Sequence, residues 1–257
     1  MSCYNFTVNA NGKAYCYLWS EDEGKRGTVE MGSSLISFSK EKAAEGVRHM
    51  MSFCDSCGGN RNKPIAATLS YIVHKTDIES FFLLFLEKGH TENAANEVHS
   101  TIERAKNALI FHPSEWAVLI RNIETKSLEM KVRKMSHEIF LDTMEYSKAF
   151  PNYHKNKDGE KVMNWMKVKI LMVKKAEPYK IFFKMNSNDD DFSCIYMLQR
   201  GGKRKISRDH SVIPSQMKKA YSKRHPISEE KFEDLKWMCD SMIVPEEYHD
   251  FYKNLPQ

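Results

Sequence analysis

A short, strongly apolar run constrains the fold of this chain more than any other feature. Residues 80–87 read Ser-Phe-Phe-Leu-Leu-Phe-Leu-Glu, and Gly89 ends the run. Such a continuous apolar segment is typical of a strand in the centre of a sheet, where both faces are covered. The run therefore predicts a sheet-containing core in which other elements pack on both faces of this strand.

The patterns on either side of this run alternate between strand and helix. Residues 4–8 and 13–19 are predicted strands joined at Asn11-Gly12, a dipeptide that favours a hairpin turn. The elements predicted after them are a helix at 27–44, a strand at 47–55, a helix at 62–74, the strand at 80–87 and a helix at 93–110. This order predicts an α/β fold with a mixed sheet and flanking helices.

The second half of the chain predicts a smaller sheet region and terminal helices. The predicted elements are a short helix at 113–122, a loop at 145–163, strands at 162–173, 179–185 and 191–198, a basic turn at 201–205, and helices at 214–221, 228–239 and 245–255. We therefore divide the chain into a core at 1–125 and a β-rich segment with terminal helices at 126–257, packed on that core.

The composition indicates an ordinary intracellular protein. Hydrophobic residues make up 41% of the chain and charged residues 28%, which is typical of a soluble domain. No apolar run is long enough to cross a bilayer, and residues 1–11 lack the pattern of a secretory signal. We expect a nuclear or cytoplasmic location and no membrane partner.

The cysteines lack the spacing of a disulfide framework or of a structural zinc site. Only Cys54 and Cys57 lie close together in sequence, and a zinc site usually needs a second such pair. We therefore expect reduced thiols. A redox-active pair at Cys54 and Cys57 is the weakest alternative, because the flanking sequence lacks a thioredoxin-like pattern.

Positive charge is concentrated in one stretch of the chain. Residues 151–224 contain 18 lysines and arginines against 7 acids, a net charge of +11, whereas the rest of the chain carries −6. This asymmetry favours a polyanion such as DNA as a partner, although a solvated lysine-rich surface explains it equally well. The candidate nucleic-acid-binding residues are Lys174, Lys175, Lys203, Arg204, Lys205 and Arg208.

Aromatic residues are interleaved with these basic residues. They are Trp165, Tyr179, Phe182, Phe183 and Tyr196. Basic and aromatic side chains together are typical of nucleic-acid-binding surfaces. The alternative is that the aromatic rings form the core of the predicted strands and the lysines face water.

Candidate catalytic residues follow two predicted strands, at the point where each strand ends. Asp55 ends the first of these strands, and glycines and asparagines follow it. Asn96, His99 and Glu103 lie at i, i+3 and i+7 on a later helix, so they share one helix face. Converging carboxylates can hold Mg²⁺ or Mn²⁺ for phosphodiester chemistry, and Asp55 is the candidate metal ligand. A His on a helix face is more often a hydrogen-bonded residue than a ligand, and the alternative for Glu103 is that it solvates the helix.

Five sequence blocks resemble a family of uncharacterised transposon-derived proteins that are multiplied in the genomes of insects, cnidarians and other animals. Among them are Cys-Asp-Ser-Cys-Gly-Gly-Asn-Arg-Asn and Phe-Leu-Glu-Lys-Gly-His-Thr. No single block is specific, but their joint order is, and the resemblance covers nearly the whole chain. The five blocks lie at 17–30, 54–62, 85–91, 96–103 and 227–255.

The resemblance implies a ribonuclease H-like fold and the two-metal chemistry of a DDE-type transposase, but this chain departs from the family in two places. It begins at about the family's second strand, so the first catalytic Asp has no counterpart, and Asn96 stands where the family has an acid. Asp55 is then the one acid of three that remains. We expect a degenerate, inactive domain that needs no cofactor, because an amide brings no negative charge to a metal site.

The sequence is therefore consistent with three functions. The first is an inactive transposase-derived domain that still binds nucleic acid. The second is an active Mg²⁺- or Mn²⁺-dependent nuclease or strand transferase that uses Asp55, His99 and Glu103. The third is a protein-interaction scaffold without a nucleic-acid role. The sequence sets no oligomeric state for any of them.

Overall fold

The described residues form a mixed α/β fold with two mixed sheets, which confirms the predicted α/β class. A computed structural model describes residues 1–87, 94–106, 109–123, 125, 128–150, 163–196 and 216–257. Within these ranges the strands are β1 (Cys3–Ala10), β2 (Lys13–Ser20), β3 (His49–Cys54), β4 (Ser80–Phe85), β5 (Glu129–Lys134), β6 (Ile170–Lys174), β7 (Lys180–Lys184) and β8 (Ser193–Tyr196). The α-helices are α1 (Thr28–Ala44), α2 (Lys63–Lys75), α3 (Ala94–Ala105), α4 (Pro113–Arg121), α5 (Thr143–Ser147), α6 (Glu229–Asp240) and α7 (His249–Lys253).

The chain divides into two units, each assembled from separated stretches of sequence. Strand pairing explains this interleaving, because β5 pairs with β2 and β6 pairs with β4. The units therefore differ from the linear division between residues 125 and 126. The first unit contains residues 1–26, 92–140 and 221–257, and the second contains 27–91 and 141–220.

The first unit is built on a three-stranded sheet in the order β1-β2-β5. β1 and β2 form the predicted antiparallel hairpin, and Asn11 and Gly12 both take positive φ in its turn, 51° and 72°. Positive φ at both central residues matches the right-handed twist of paired strands. β5 pairs with β2 in parallel. Helices α3 and α4 contact this sheet and bury a cluster formed by Ala14, Cys16, Val98, Ile102, Ala117, Ile120 and Val132.

The C-terminal residues of the first unit form a second apolar cluster. The predicted helix at 228–239 is confirmed as α6, and the Ser228 side chain caps its first turn by accepting from the Lys231 backbone N–H. The predicted helix at 245–255 is shorter than expected, a 3-10 turn at Glu246–Tyr248 followed by α7. The clustered side chains are Ile227, Phe232, Leu235, Cys239, Val244, Tyr252 and Leu255.

The second unit is built on a five-stranded sheet in the order β3-β4-β6-β7-β8. β3 and β4 are parallel and are joined through α2, whereas the other neighbouring pairs are antiparallel. Helix α2 contacts β4, β6 and β7, and α1 and α5 pack on α2. The expectation of a second, smaller sheet at 162–198 was wrong, because β6 joins the edge of β4 and extends the same sheet.

The strand at 80–87 is covered on one face only, contrary to the prediction. In β4, Phe81, Leu83 and Phe85 are at most 5% exposed, whereas Phe82 and Leu84 are partly exposed. The uniformly apolar sequence hides this alternation, because Phe and Leu occupy both faces of the strand. The sheet of the second unit therefore has two faces of different exposure.

Three smaller predictions also need correction. Strand β5 was not predicted, because Glu-Met-Lys-Val-Arg-Lys is mostly charged. The predicted loop at 145–163 begins inside helix α5. Of the predicted helix at 214–221, the described residues 216–221 are not helical, and Lys219 instead forms a β-bridge with Leu141. Among the described residues, no helix has the length and apolar composition to span a membrane.

Two matched substitutions test the assignment of the two sheet faces. Phe81→Ala removes a ring that is 0% exposed and should lower the free energy of unfolding by about 3–5 kcal/mol, because it leaves a cavity. Phe53→Ala removes a ring that is 59% exposed and should cost less than about 0.5 kcal/mol. Urea denaturation followed by circular dichroism measures both values. Equal decreases in stability would contradict the assignment.

Candidate functional site

Residues 55–62, here called the Asp55 loop, connect β3 to α2 at the carboxyl end of the sheet's parallel strands. The Asp55 carboxylate organises this loop. Its Oδ1 atom accepts hydrogen bonds from the Cys57 backbone N–H at 3.2 Å and from the Asn60 side-chain amide at 2.6 Å. Burial works to raise the pKa of Asp55, but the hydrogen bonds from Cys57 and Asn60 outweigh it and hold this pKa below its ordinary value. Asp55 is therefore an ionised side chain with a structural role in its own turn.

Asn62 links the Asp55 loop to the start of α2. Its side-chain oxygen accepts from the Ile65 backbone N–H at 2.9 Å, which caps the first turn of the helix. Its amide group donates to the carbonyls of Gly58 at 2.9 Å and Gly59 at 2.7 Å. Asn60 and Asn62 thus both hold loop groups in place.

Arg61 is a buried cation that the sequence analysis did not single out. Its side chain donates to the Met166 carbonyl at 2.8 Å and to the Ser56 hydroxyl, which in turn donates to the Leu86 carbonyl. The guanidinium lies 5.0 Å from the centre of the Phe85 ring. These contacts tie the Asp55 loop to the end of β4.

The two thiols of the Asp55 loop region are poor nucleophiles. Both are free cysteines. Burial, followed by the nearby Asp55 charge, raises the pKa of Cys54 to about 12. Partial burial and then the hydrogen bond with Asp55 raise the pKa of Cys57. Since reactive thiols need a lowered pKa, this environment argues against a redox-active pair at Cys54 and Cys57.

Helix α3 presents the other candidate catalytic residues to solvent. Asn96, His99 and Glu103 are exposed, whereas Val98 and Ile102 face the core of the first unit. Desolvation lowers the pKa of His99, and the Glu103 charge opposes this effect. Asp55 belongs to the second unit and α3 to the first, so their convergence on one site stays a prediction. Among the described residues, no three His, Cys, Asp or Glu side chains form a group that could hold a metal ion.

The described candidate nucleic-acid-binding residues, Lys174 and Lys175, have different surroundings. The Lys174 ammonium lies 5.3 Å from the centre of the Phe182 ring. Lys175 is exposed, donates to the Thr76 carbonyl at 2.7 Å and lies 3.8 Å from the Asp77 carboxylate. The other candidates fall outside the described residues, and they are Lys203, Arg204, Lys205 and Arg208.

The interleaved aromatic residues divide between core and surface. Phe183 is 1% exposed and belongs to the core of the second unit. Phe182, its neighbour on β7, and Tyr196 on β8 are partly exposed on the opposite face. The strand-core alternative is therefore right for Phe183 and does not account for Phe182 and Tyr196.

A buried ion pair in the first unit also escaped the sequence analysis. Asp22 is 0% exposed and accepts from the Ser20 hydroxyl at 2.5 Å and from Nε of Arg224 at 2.7 Å. Its backbone carbonyl accepts from the His225 N–H at 2.6 Å. The neighbouring Glu23 carboxylate lies 3.6 Å from Arg224 Nε. This network joins the turn after β2 to the C-terminal cluster, so its role is structural.

Comparison of the chain with family models, with curated proteins and with solved structures finds no match.

Replacing Asp55 with Asn tests the electrostatic arrangement of the Asp55 loop. The variant keeps an oxygen that can accept from Asn60 but removes the charge that raises the pKa of Cys57. Iodoacetamide should therefore alkylate Cys57 several-fold faster at pH 8 in Asp55→Asn, because more thiolate is present. Peptide mass spectrometry measures the rate, with the fully buried Cys239 as internal control. An unchanged rate at Cys57 would show that Asp55 does not act on this thiol.

Proposed function

We propose that this chain is a transposase-derived, ribonuclease H-like domain that has lost two-metal chemistry and still binds nucleic acid. The five-block resemblance supports the origin. The parallel pair β3 and β4, linked through α2 with Asp55 just beyond the end of β3, is compatible with such an ancestor. In open α/β sheets, functional side chains collect at the carboxyl ends of the strands.

The hydrogen bonding of the Asp55 carboxylate within its own loop is the main support for the loss of catalysis. Two-metal catalysis needs several carboxylates that converge on two cations and neutralise their charge. In this chain Oδ1 of Asp55 is occupied by two hydrogen bonds within its own loop. The second position that the resemblance assigns to an acid holds Asn96, an amide. One carboxylate with a structural role is a weak ligand set for a pair of divalent cations.

The charge distribution supports retained nucleic-acid binding. The stretch 151–224 carries a net charge of +11. Within its described part, several lysines, three of which also pair with acidic side chains, lie at or near the ends of β6 and β7 in the second unit. These lysines are Lys167, Lys169, Lys174, Lys175, Lys180 and Lys184.

Cleavage and binding assays on the same labelled DNA test the two parts of this proposal. We expect no hydrolysis with Mg²⁺ or Mn²⁺. Binding should weaken with salt, and log K against log salt should have a slope of roughly −4 to −5 for about five phosphate contacts. Charge reversal of Lys203, Arg204 and Lys205 should flatten the slope by about one unit for each phosphate that the variant no longer neutralises.

The matched control reverses three exposed lysines outside the basic stretch: Lys40, Lys236 and Lys253. It changes the net charge equally and should leave the slope nearly unchanged. Metal-dependent turnover that disappears in Asp55→Ala would instead establish the active nuclease. Absence of salt-dependent binding, even at low ionic strength, would leave the interaction scaffold as the better account.

A further inference from the structure

The sheet of the second unit buries one face and leaves the opposite face partly accessible. The buried face is covered by α2, which contacts β4, β6 and β7. It contains no charged side chain, and each of its large apolar side chains is at most 8% exposed. These buried side chains are Met50, Phe81, Leu83, Phe85, Leu171, Val173, Ile181, Phe183 and Ile195.

The opposite face, here called the open face, is formed by three cross-strand rows of side chains. Strand register determines the rows, because residues that are paired across neighbouring strands point to the same side. The central row is Met51, Phe82, Met172, Phe182 and Cys194, one flanking row is Phe53, Leu84, Ile170 and Lys184, and the other contains His49, Ser80, Lys174, Lys180 and Tyr196. None of these positions is acidic.

Much of the open face is apolar and accessible. Met51 is 62% exposed and Phe53 is 59% exposed. Phe82, Phe182 and Tyr196 are partly exposed, whereas Met172, between the two phenylalanines, is 5% exposed. Accessible apolar side chains that adjoin one another on a flat surface are typical of a binding site, since scattered single residues would need no explanation.

Lysine ammonium groups lie against the aromatic rings of this face. Lys180 Nζ is 5.9 Å from the centre of the Phe182 ring and 5.5 Å from that of Tyr196, and Lys174 Nζ is 5.3 Å from that of Phe182. Glu177 pairs with Lys180. At the end of β7, the Lys184 ammonium donates to the carbonyls of Asp189 and Asp190 and lies 4.8 Å from the centre of the Phe192 ring. The open face therefore combines flat rings with positive charge.

This combination distinguishes between possible partners. A purely apolar protein partner would desolvate the ammonium groups of Lys174 and Lys184 without supplying negative charge, which is unfavourable. A nucleic-acid duplex supplies phosphates, but its bases are stacked inside and cannot contact the rings of the sheet. A single strand supplies both phosphates for the lysines and unstacked bases for the rings.

We propose that the open face binds single-stranded nucleic acid, with bases stacked on Phe53, Phe182 and Tyr196 and phosphates beside Lys174 and Lys184. This inference rests on the proposed function. It specifies that the nucleic acid is single-stranded and that it binds on the open face. Stacking on a sheet tolerates any base, so binding should depend little on sequence and strongly on strandedness. The Asp55 loop takes no part in this binding.

The test is fluorescence anisotropy of the full chain with a labelled mixed-sequence oligonucleotide, presented as single-stranded DNA, as single-stranded RNA and as duplex DNA. Single strands should bind more tightly than the duplex. Phe53→Ala and Phe182→Leu should each weaken single-strand binding about tenfold, because each removes a stacking ring. Phe182→Tyr keeps a ring and should retain the affinity. Lys174→Ala should reduce the salt slope by about one.

Trp237→Ala is the matched control, since Trp237 is a 61% exposed aromatic residue in the first unit. It should leave the affinity unchanged, and thermal melting should show that all variants fold. If the chain binds nucleic acid with a steep salt slope and Phe53→Ala and Phe182→Leu have no effect, the open face is not the site, and the proposed function stands. If no nucleic acid binds at low salt, both proposals fall.

Sedimentation distinguishes the alternative in which the open face is an interface between two copies of the chain. If Phe53→Ala changes the sedimentation of the chain from dimer to monomer and leaves single-strand binding intact, the open face pairs with a second copy, and the inference is wrong.

Discussion

The packing of α2 on one face of the five-stranded sheet is the interaction on which the rest of the second unit depends. Helix α2 is apolar around most of its circumference, and Ala66, Leu69, Ile72 and Val73 are 0% exposed. Burial of this helix against β4, β6 and β7 supplies the hydrophobic stabilisation that holds the sheet together. It also decides which side chains of each strand are buried, because neighbouring residues of a strand point to opposite faces.

The same packing separates the two surfaces that matter for function. At the start of α2, the Asn62 cap and the Arg61 contacts hold the Asp55 loop in place. Asp55 contributes by accepting a hydrogen bond from the Asn60 side chain. On the side of the sheet away from α2, Phe53 and Phe182 remain accessible beside lysines. An ancestor of transposase type would use the loop edge for chemistry. In our account, the Asp55 loop of this chain has only a structural role, and the ligand binds on the open face.

Local sequence patterns predicted many of the helices, strands and turns, because these elements depend mainly on residues that are close together in sequence. The Asn11-Gly12 turn, the period of the helices and the apolar strand runs each gave an element close to its observed bounds. Strand partners were less predictable, since the pairing of β6 with β4 joins residues about ninety positions apart. Strand β5 escaped prediction because its charged residues are tolerated at a sheet edge.

The candidate site was predictable only in part for similar reasons. Asp55 followed from its position at a strand end, and its loop role became visible only with the hydrogen bonds from Cys57 and Asn60. The Asp22–Arg224 pair joins residues 202 positions apart, which no spacing rule detects. The open face was hidden because Phe81 and Phe82 look alike in sequence and differ only in the direction their side chains take.

Photocrosslinking tests the central claim most directly. A single-stranded oligonucleotide containing 5-iodouracil is irradiated with the full chain, and the crosslinked residues are identified by peptide mass spectrometry. Our account predicts crosslinks at Phe53, Phe182 and Tyr196, because aromatic rings stacked on the modified base react most readily. Specific crosslinks confined to the first unit, for example at Trp237, would contradict it.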